Sequence, residues 1–156
     1  MLLMKHALKT RCAALISTIL LLLIFPACKE EPITDPATTL RDVIQADNRG
    51  DLEKVVTLYT ADAMLLPAGR TDIMGRDAIR EHYGQIFSTT TLQLHPRVLE
   101  EWTRHDIAMI HGTITGKTVS KTDSSEHIVD DKFLMFLKMD SGKWKIHRLM
   151  WSQDHD

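Results

Sequence analysis

The sequence predicts an α+β domain with helices packed on one face of an antiparallel sheet. Two observations carry this reading. The capped, amphipathic helical segments all lie before residue 89, and long β-leaning runs separated only by short polar breaks fill the rest of the chain. Helices first and neighbouring strands afterwards define α+β, whereas alternation would have meant a parallel sheet. A length of 156 residues favours a single domain.

The first segment is read as an address rather than as part of the fold. Residues 1–12 carry Lys5, Lys9 and Arg11, Ala13 to Phe25 is a mostly apolar stretch, and Pro26 breaks whatever helix that stretch forms. This is the pattern of a secretory signal peptide. A spanning helix needs about 20 apolar residues, which makes a single N-terminal transmembrane helix the weaker alternative. Phe25-Pro26-Ala27-Cys28 resembles a bacterial lipobox, with small Ala27 before the cysteine that would be lipidated. Bulky Phe25 fits poorly three places before an ordinary signal-peptidase cut; the alternative for Cys28 is a free thiol just beyond such a cut. The expected division is a lipoprotein signal over 1–27, a tether over 28–35 rich in Pro and charge, and a domain over 36–156. The protein is then exported and held to a bacterial membrane by its lipid, palmitate included. Lys29 after the cysteine favours an outer-membrane destination facing the periplasm if the cell is Gram-negative.

Within the domain, Asp35-Pro36 supplies a cap and a first-turn proline, and Ala37, Leu40, Val43, Ile44 and Asp47 recur at helical spacing until Gly50. Asp51 caps a second helix with the stripe Leu52, Val55, Val56, Tyr59. A short strand, Ala63 to Leu66, closes at Pro67-Ala68-Gly69. A third helix from Arg76 to Ser88 buries Ile79, Tyr83, Ile86 and Phe87. Strands follow over 91–102, 106–119, 128–139 and 143–153, the last two joined by a hairpin turn at Asp140-Ser141-Gly142-Lys143. On the last strand both alternating faces mix apolar and charged residues, so alternation does not assign the inward face, and a bulge is one way to reconcile the two.

Composition excludes several classes of function. All three basic residues of the first 27 leave with the signal and no acid does, so of 19 basic residues 16 remain against 21 acidic ones. A nucleic-acid partner is disfavoured by that balance. Of the 2 cysteines, Cys12 is discarded and Cys28 acylated, which removes thiol chemistry. His82, His95, His105, His111, His127, His147 and His155 show no helical i, i+4 pair and no cysteine partner, so neither a metal nor any other cofactor is expected.

Four segments, in order, carry a resemblance to a known family. They are Asn48-Arg49-Gly50-Asp51-Leu52, Leu58-Tyr59-Thr60-Ala61-Asp62-Ala63, Gly75-Arg76-Asp77-Ala78-Ile79-Arg80, and Asp140-Ser141-Gly142-Lys143-Trp144-Lys145-Ile146 followed by Trp151. Together they resemble the nuclear transport factor 2-like superfamily, in its ketosteroid isomerase and SnoaL-like branch. The resemblance implies a cone-shaped α+β barrel, three helices on a curved antiparallel sheet, enclosing an apolar pocket, and implies a homodimer formed through the sheet. It also implies an Asp base and a Tyr/protonated-Asp donor pair in isomerases. In this sequence the Tyr position falls at Val43, the base at Leu66 or in a deletion, and the second Asp near Leu134. None of the three can donate, accept or titrate, so steroid-type isomerisation is not expected.

Two functional readings remain. The favoured one is a binding module for a small, mostly apolar molecule, with Tyr59, Tyr83 and Trp151 in its pocket wall. The other is a SnoaL-like isomerase, cyclase or hydrolase using a His111–Asp130 proton-transfer pair across neighbouring strands. Against the pair stands the simpler reading of a solvent-facing histidine and a solvated strand end. Asp131, His147 and Trp151 are further polar candidates.

Overall fold

The structure, a computed structural model, describes residues 35–153. The signal, Cys28, the tether up to residue 34 and His155 therefore lie outside the described residues. Helix α1 (Pro36–Arg49) begins where the Asp35 side chain accepts from the Ala37 N–H at 2.9 Å, and it stops where Gly50 turns left-handed at φ 65°. Its stripe turns Leu40, Val43, Ile44 and Asp47 inward. Helix α2 (Leu52–Thr57) is capped by Asp51, whose carboxylate accepts from the Lys54 N–H. It ends sooner than its stripe predicts, because Leu58 accepts from the Ile146 N–H and Tyr59 pairs with Ile146. Sheet hydrogen bonds thus override helical periodicity at Tyr59. Helix α3 (Arg76–Thr89) follows Gly75 and buries Ile79, Tyr83 and Phe87.

Six strands form one sheet: β1 (Tyr59–Pro67), β2 (Ile73–Met74), β3 (Thr90–Arg104), β4 (Ile107–Ser120), β5 (Glu126–Asp140) and β6 (Lys143–Gln153). Their order is β2-β1-β6-β5-β4-β3, with β1 and β6 parallel and every other pair antiparallel. Since β2 and β3 are both edges, the cone is a curved, open sheet rather than a closed barrel. The β5–β6 turn has Ser141 and Gly142 both at positive φ, 52° and 77°, the primed geometry that matches strand twist. No helix among the described residues is long and apolar enough to cross a membrane.

Strand β6 contains a bulge. Ile146 pairs with Leu137 and Arg148 with Phe136, so His147 is the extra residue. Before it, Trp144 and Ile146 point into the core; after it, Leu149 and Trp151 point inward. One inserted residue exchanges the two faces, which is why each looked mixed in sequence. The helices are tied to the concave face by Thr39 donating to the Trp144 carbonyl at 3.0 Å. Asn48 extends the tie by pairing with Leu94 as a strand would, its amide donating to the carbonyl at 2.9 Å and its oxygen accepting from the N–H at 2.7 Å.

Candidate functional site

Between the helices and the concave face lies a cavity of about 180 Å³. Helix α1 contributes Leu40, Val43 and Ile44 to its wall, β3 contributes Leu92 and Leu94, β5 contributes Phe133 and Met135, and Ile114, Leu149 and Trp151 are also apolar lining residues. It opens past His82, Thr118, Asp131 and Trp151 into a wider, more polar mouth of about 790 Å³, bordered by the Pro67–Thr71 turn, His127 and Ser152.

Two polar features sit among the apolar walls. The first is Asp47, in the last turn of α1, only 7% exposed, whose Oδ1 has no hydrogen-bond partner. Burial pushes its carboxyl up to about 8. The negative end of the helix dipole acts in the same direction, so the neutral acid is the resting form at neutral pH. The second is a hydroxyl pair, Tyr59 to Tyr83 at 2.8 Å, in which either oxygen can donate. Burial, then the nearby Asp47, raises both phenols far above their ordinary value, so both stay protonated. The Tyr83 ring also packs at 5.6 Å on Phe87, which fixes its direction. At the mouth, burial and then Arg70 lower His82, while burial and then Asp130 raise Asp131.

A SnoaL-like domain model matches residues 40–147, more than two thirds of the chain and all of the cavity lining except Leu149 and Trp151. The chain belongs to the SnoaL-like domain family. Among solved structures, the SnoaL-like domain is similar to a ketosteroid isomerase-like protein from Erwinia carotovora atroseptica (23% identity, TM-score 0.72, covering 81% of this chain and 99% of that one). A provisionally named scytalone dehydratase from Novosphingobium aromaticivorans is similar at 15% identity and TM-score 0.66, over 77% and 85% of the two chains. An NTF2-like protein of unknown function from Pseudomonas putida is similar at 16% identity and TM-score 0.61, over 77% and 84%. At these identities the likeness is one of fold. No curated protein resembles the chain closely enough to count as a match.

In this SnoaL-like domain the three positions to which the resemblance assigned isomerase chemistry, Val43, Leu66 and Leu134, have different surroundings. Val43 is a plain apolar wall of the cavity. Leu66 lies on β1 and does not border the cavity. Leu134 pairs with His111 and Met150 on the outer face, leaving Phe133 and Met135 to point inward.

The His111–Asp130 pair is corrected by the strand registers. Inward residues of β4 are the even ones (Ala108, Ile110, Ile114, Thr118), and those of β5 the odd ones (Val129, Asp131, Phe133, Met135). His111 and Asp130 therefore both face outward, away from the cavity. They are also out of register. His111 lies opposite Leu134 and Asp130 opposite Thr115, four positions along the strand, about 13 Å at roughly 3.3 Å per residue. The carboxyl at the cavity mouth is the next residue, Asp131. Of the aromatic trio, Tyr83 and Trp151 line the cavity, while Tyr59 stands behind Tyr83 and reaches it through the hydroxyl bond.

His147 makes a different cluster. Its Nδ1 lies 3.2 Å from Thr60 Oγ1 and 3.4 Å from Asp62 Oδ1, away from the cavity. Both contacts use one ring nitrogen, whereas a nucleophile–base–orienter relay needs one partner on each. The cluster packs the bulge. Among the described residues, no three His, Cys, Asp or Glu side chains gather as a metal site requires.

Sequence reasoning passed over Asp47 although its signal was present. It occupies the i+7 position of the apolar stripe Leu40, Val43, Ile44, where an aliphatic residue would be the ordinary choice.

Proposed function

We propose that this SnoaL-like domain binds a small, mostly apolar molecule in the cavity between helices and sheet. The observation that carries this reading is the cavity itself: about 180 Å³, walled almost wholly by aliphatic and aromatic side chains and adjoining a polar mouth. Its volume sets the ligand size, since an apolar cavity of about 150 Å³ accepts a benzene-sized molecule. The inner chamber accommodates one ring or a short branched chain, and anything longer extends into the mouth. Trp151 in the wall gives a direct readout. Ethylbenzene is expected to change its fluorescence saturably, and Ile114→Trp, which fills the chamber, to weaken that binding at least about tenfold. Saturation unaltered by Ile114→Trp would place the ligand elsewhere. A SnoaL-like enzyme built on His111 and Asp130 draws no support from their outward positions.

The proposal extends to placement and assembly. The signal-like segment and the lipobox-like Phe25-Pro26-Ala27-Cys28 support an exported, lipid-anchored protein. Cys28→Ser is expected to move it from the membrane pellet to the soluble fraction, and continued sedimentation with membranes would refute the anchor. Assembly as a homodimer is supported by the outer sheet face, where Trp102 pairs through Met109 to Phe136, and where Trp102 and Phe136 are 47% and 39% exposed. A Trp102→Glu chain should then sediment as a monomer where the unaltered chain sediments as a dimer. Equal sedimentation of the two chains would exclude this face.

A further inference from the structure

The exposed apolar side chains of the domain are not scattered. Of the eight large ones exposed among the described residues, Val98, Leu99, Trp102 and Ile107 fall within residues 98–107, where β3 turns into β4, and Leu99 is 52% exposed. Strand β3 is an edge of the sheet, with no further strand beside it among the described residues. That edge is also guarded against a strand from another chain. Pro96 has no N–H to give, Leu99 is the extra residue of a bulge, and Glu100 and Glu101 follow it with two charges. An edge closed to backbone pairing, yet apolar in its side chains, suits a partner that takes up side chains alone.

The described chain begins at this same end of the sheet. Burial and then Asp35 raise the Glu101 carboxyl, which places the start of α1 beside this part of β3. Thr39 donates to the Trp144 carbonyl and the Met139 N–H to the Asp106 carbonyl, so the β3–β4 and β5–β6 turns lie together there. The cavity mouth, with the Pro67–Thr71 turn, Thr118, His127 and Ser152, is at the other end of the strands. The seven residues of chain that follow Cys28, up to Asp35, reach at most about 25 Å whatever their conformation. Strand β4 alone, 14 residues long, spans roughly 45 Å. A lipid on Cys28 would therefore hold the turn end close to the bilayer and leave the mouth free to point away.

We propose that the Val98–Leu99 bulge and Ile107 form a membrane-docking edge, which lays the turn end of the domain on the bilayer interface and turns the cavity mouth toward water. This rests on the lipid-anchor reading and adds an orientation to it: the ligand enters from the aqueous side and not from the bilayer. Arg97 and Arg104 bracket the stretch and can meet lipid phosphates, while Glu100 and Glu101 offset their charge. The contact is thus governed by apolar burial and should persist in high salt. Trp102 stands on the outer face assigned above to assembly, so docking and dimer formation use different side chains.

The anchored chain, reconstituted in vesicles of phosphatidylcholine brominated along its acyl chains, provides the test. With Cys12 removed and Cys28 acylated, a cysteine introduced at an exposed position is the one thiol open to a fluorescent label. A label on Leu99→Cys should lose roughly half or more of its emission to the bromolipid, at low and high salt alike, and one on Ala68→Cys at the mouth should lose none. Adding Val98→Asp and Ile107→Asp to the Leu99→Cys chain should restore the emission without releasing the chain from the vesicles. Equal emission from the two labelled positions would overturn the docking edge and leave the anchor standing. So would quenching at Leu99→Cys that the two aspartates leave unaltered, because tethering alone would then explain it. An unaltered chain that takes the label at Cys28 and separates from the vesicles would remove the anchor and the docking edge together.

Discussion

Asp47→Leu is expected to stabilise the domain, by a margin that grows between pH 4 and pH 8 and is flat above. The carboxyl sits at about 8 when folded against an ordinary 3.8. Between those two values the folded chain holds a proton that the unfolded chain has released, so stability falls as pH rises and is lowest once both states are ionised. At about 1.4 kcal/mol per pH unit the displacement amounts to roughly 6 kcal/mol at the plateau. Water entering through the mouth and relaxation around the ionised group reduce this, and at least about 3 kcal/mol should survive. Leucine removes the term altogether and has room to do so, because the side chain borders open volume. In thermal melts at pH 4, 6, 8 and 9, the gap between variant and unaltered chain should widen by about 10 °C or more from the first to the last. A gap that stays constant with pH would mean that Asp47 ionises normally, and the neutral-acid reading of the site would fall with it. Stability would thus be lost by keeping an acid where a leucine fits, the pattern expected of a functional group kept at a cost.

How much of this was legible in sequence depended on where the deciding interaction lay. Both ends of α1 were legible, because Asp35, Pro36 and Gly50 act on backbone within a few residues. The Ser141-Gly142 hairpin was legible for the same reason. The end of α2 was not, because it is set by Leu58 accepting from Ile146, a partner nearly ninety residues away. The His111–Asp130 pairing failed on parity. Alternation fixes a residue's face only once one neighbour's face is known, and the registers of β4 and β5 put both side chains outside while Asp131 turns in. The bulge at His147 was foreseeable as a conflict between the two faces of β6, but only the register with Leu137 and Phe136 shows which residue is extra. Asp47 was visible as one polar member of an apolar stripe; its consequence required knowing that no partner waits opposite Oδ1.

Gly112→Ala is the substitution expected to damage the cavity from the sheet side. Gly112 is an inward position on β4, opposite Val98, at the point where β3 shifts register around Leu99. A Cβ built there would stand 2.2 Å from the Arg97 carbonyl oxygen and 2.8 Å from the Phe133 ring. The ring could turn, but the carbonyl belongs to the β3 backbone and can retreat only if the strand moves. Gly116 repeats the situation four residues further on, where a Cβ would lie 2.0 Å from the Gln93 carbonyl oxygen and φ is 145°. Two inward glycines thus let β3 fold tightly over β4, and this approach brings Leu92 and Leu94 into the cavity wall. Overpacking against movable side chains costs about 1–3 kcal/mol; against backbone the expected loss is about 4 kcal/mol or more. Thr113→Ala, on the opposite face one residue away, should change little and controls for composition. Urea midpoints would register the difference, and ethylbenzene binding by whatever Gly112→Ala protein folds should be weaker, because the strand that retreats carries part of the wall. Normal stability with normal binding would mean that β3 yields freely, and the bend would then have to be attributed to the bulge at Leu99 alone.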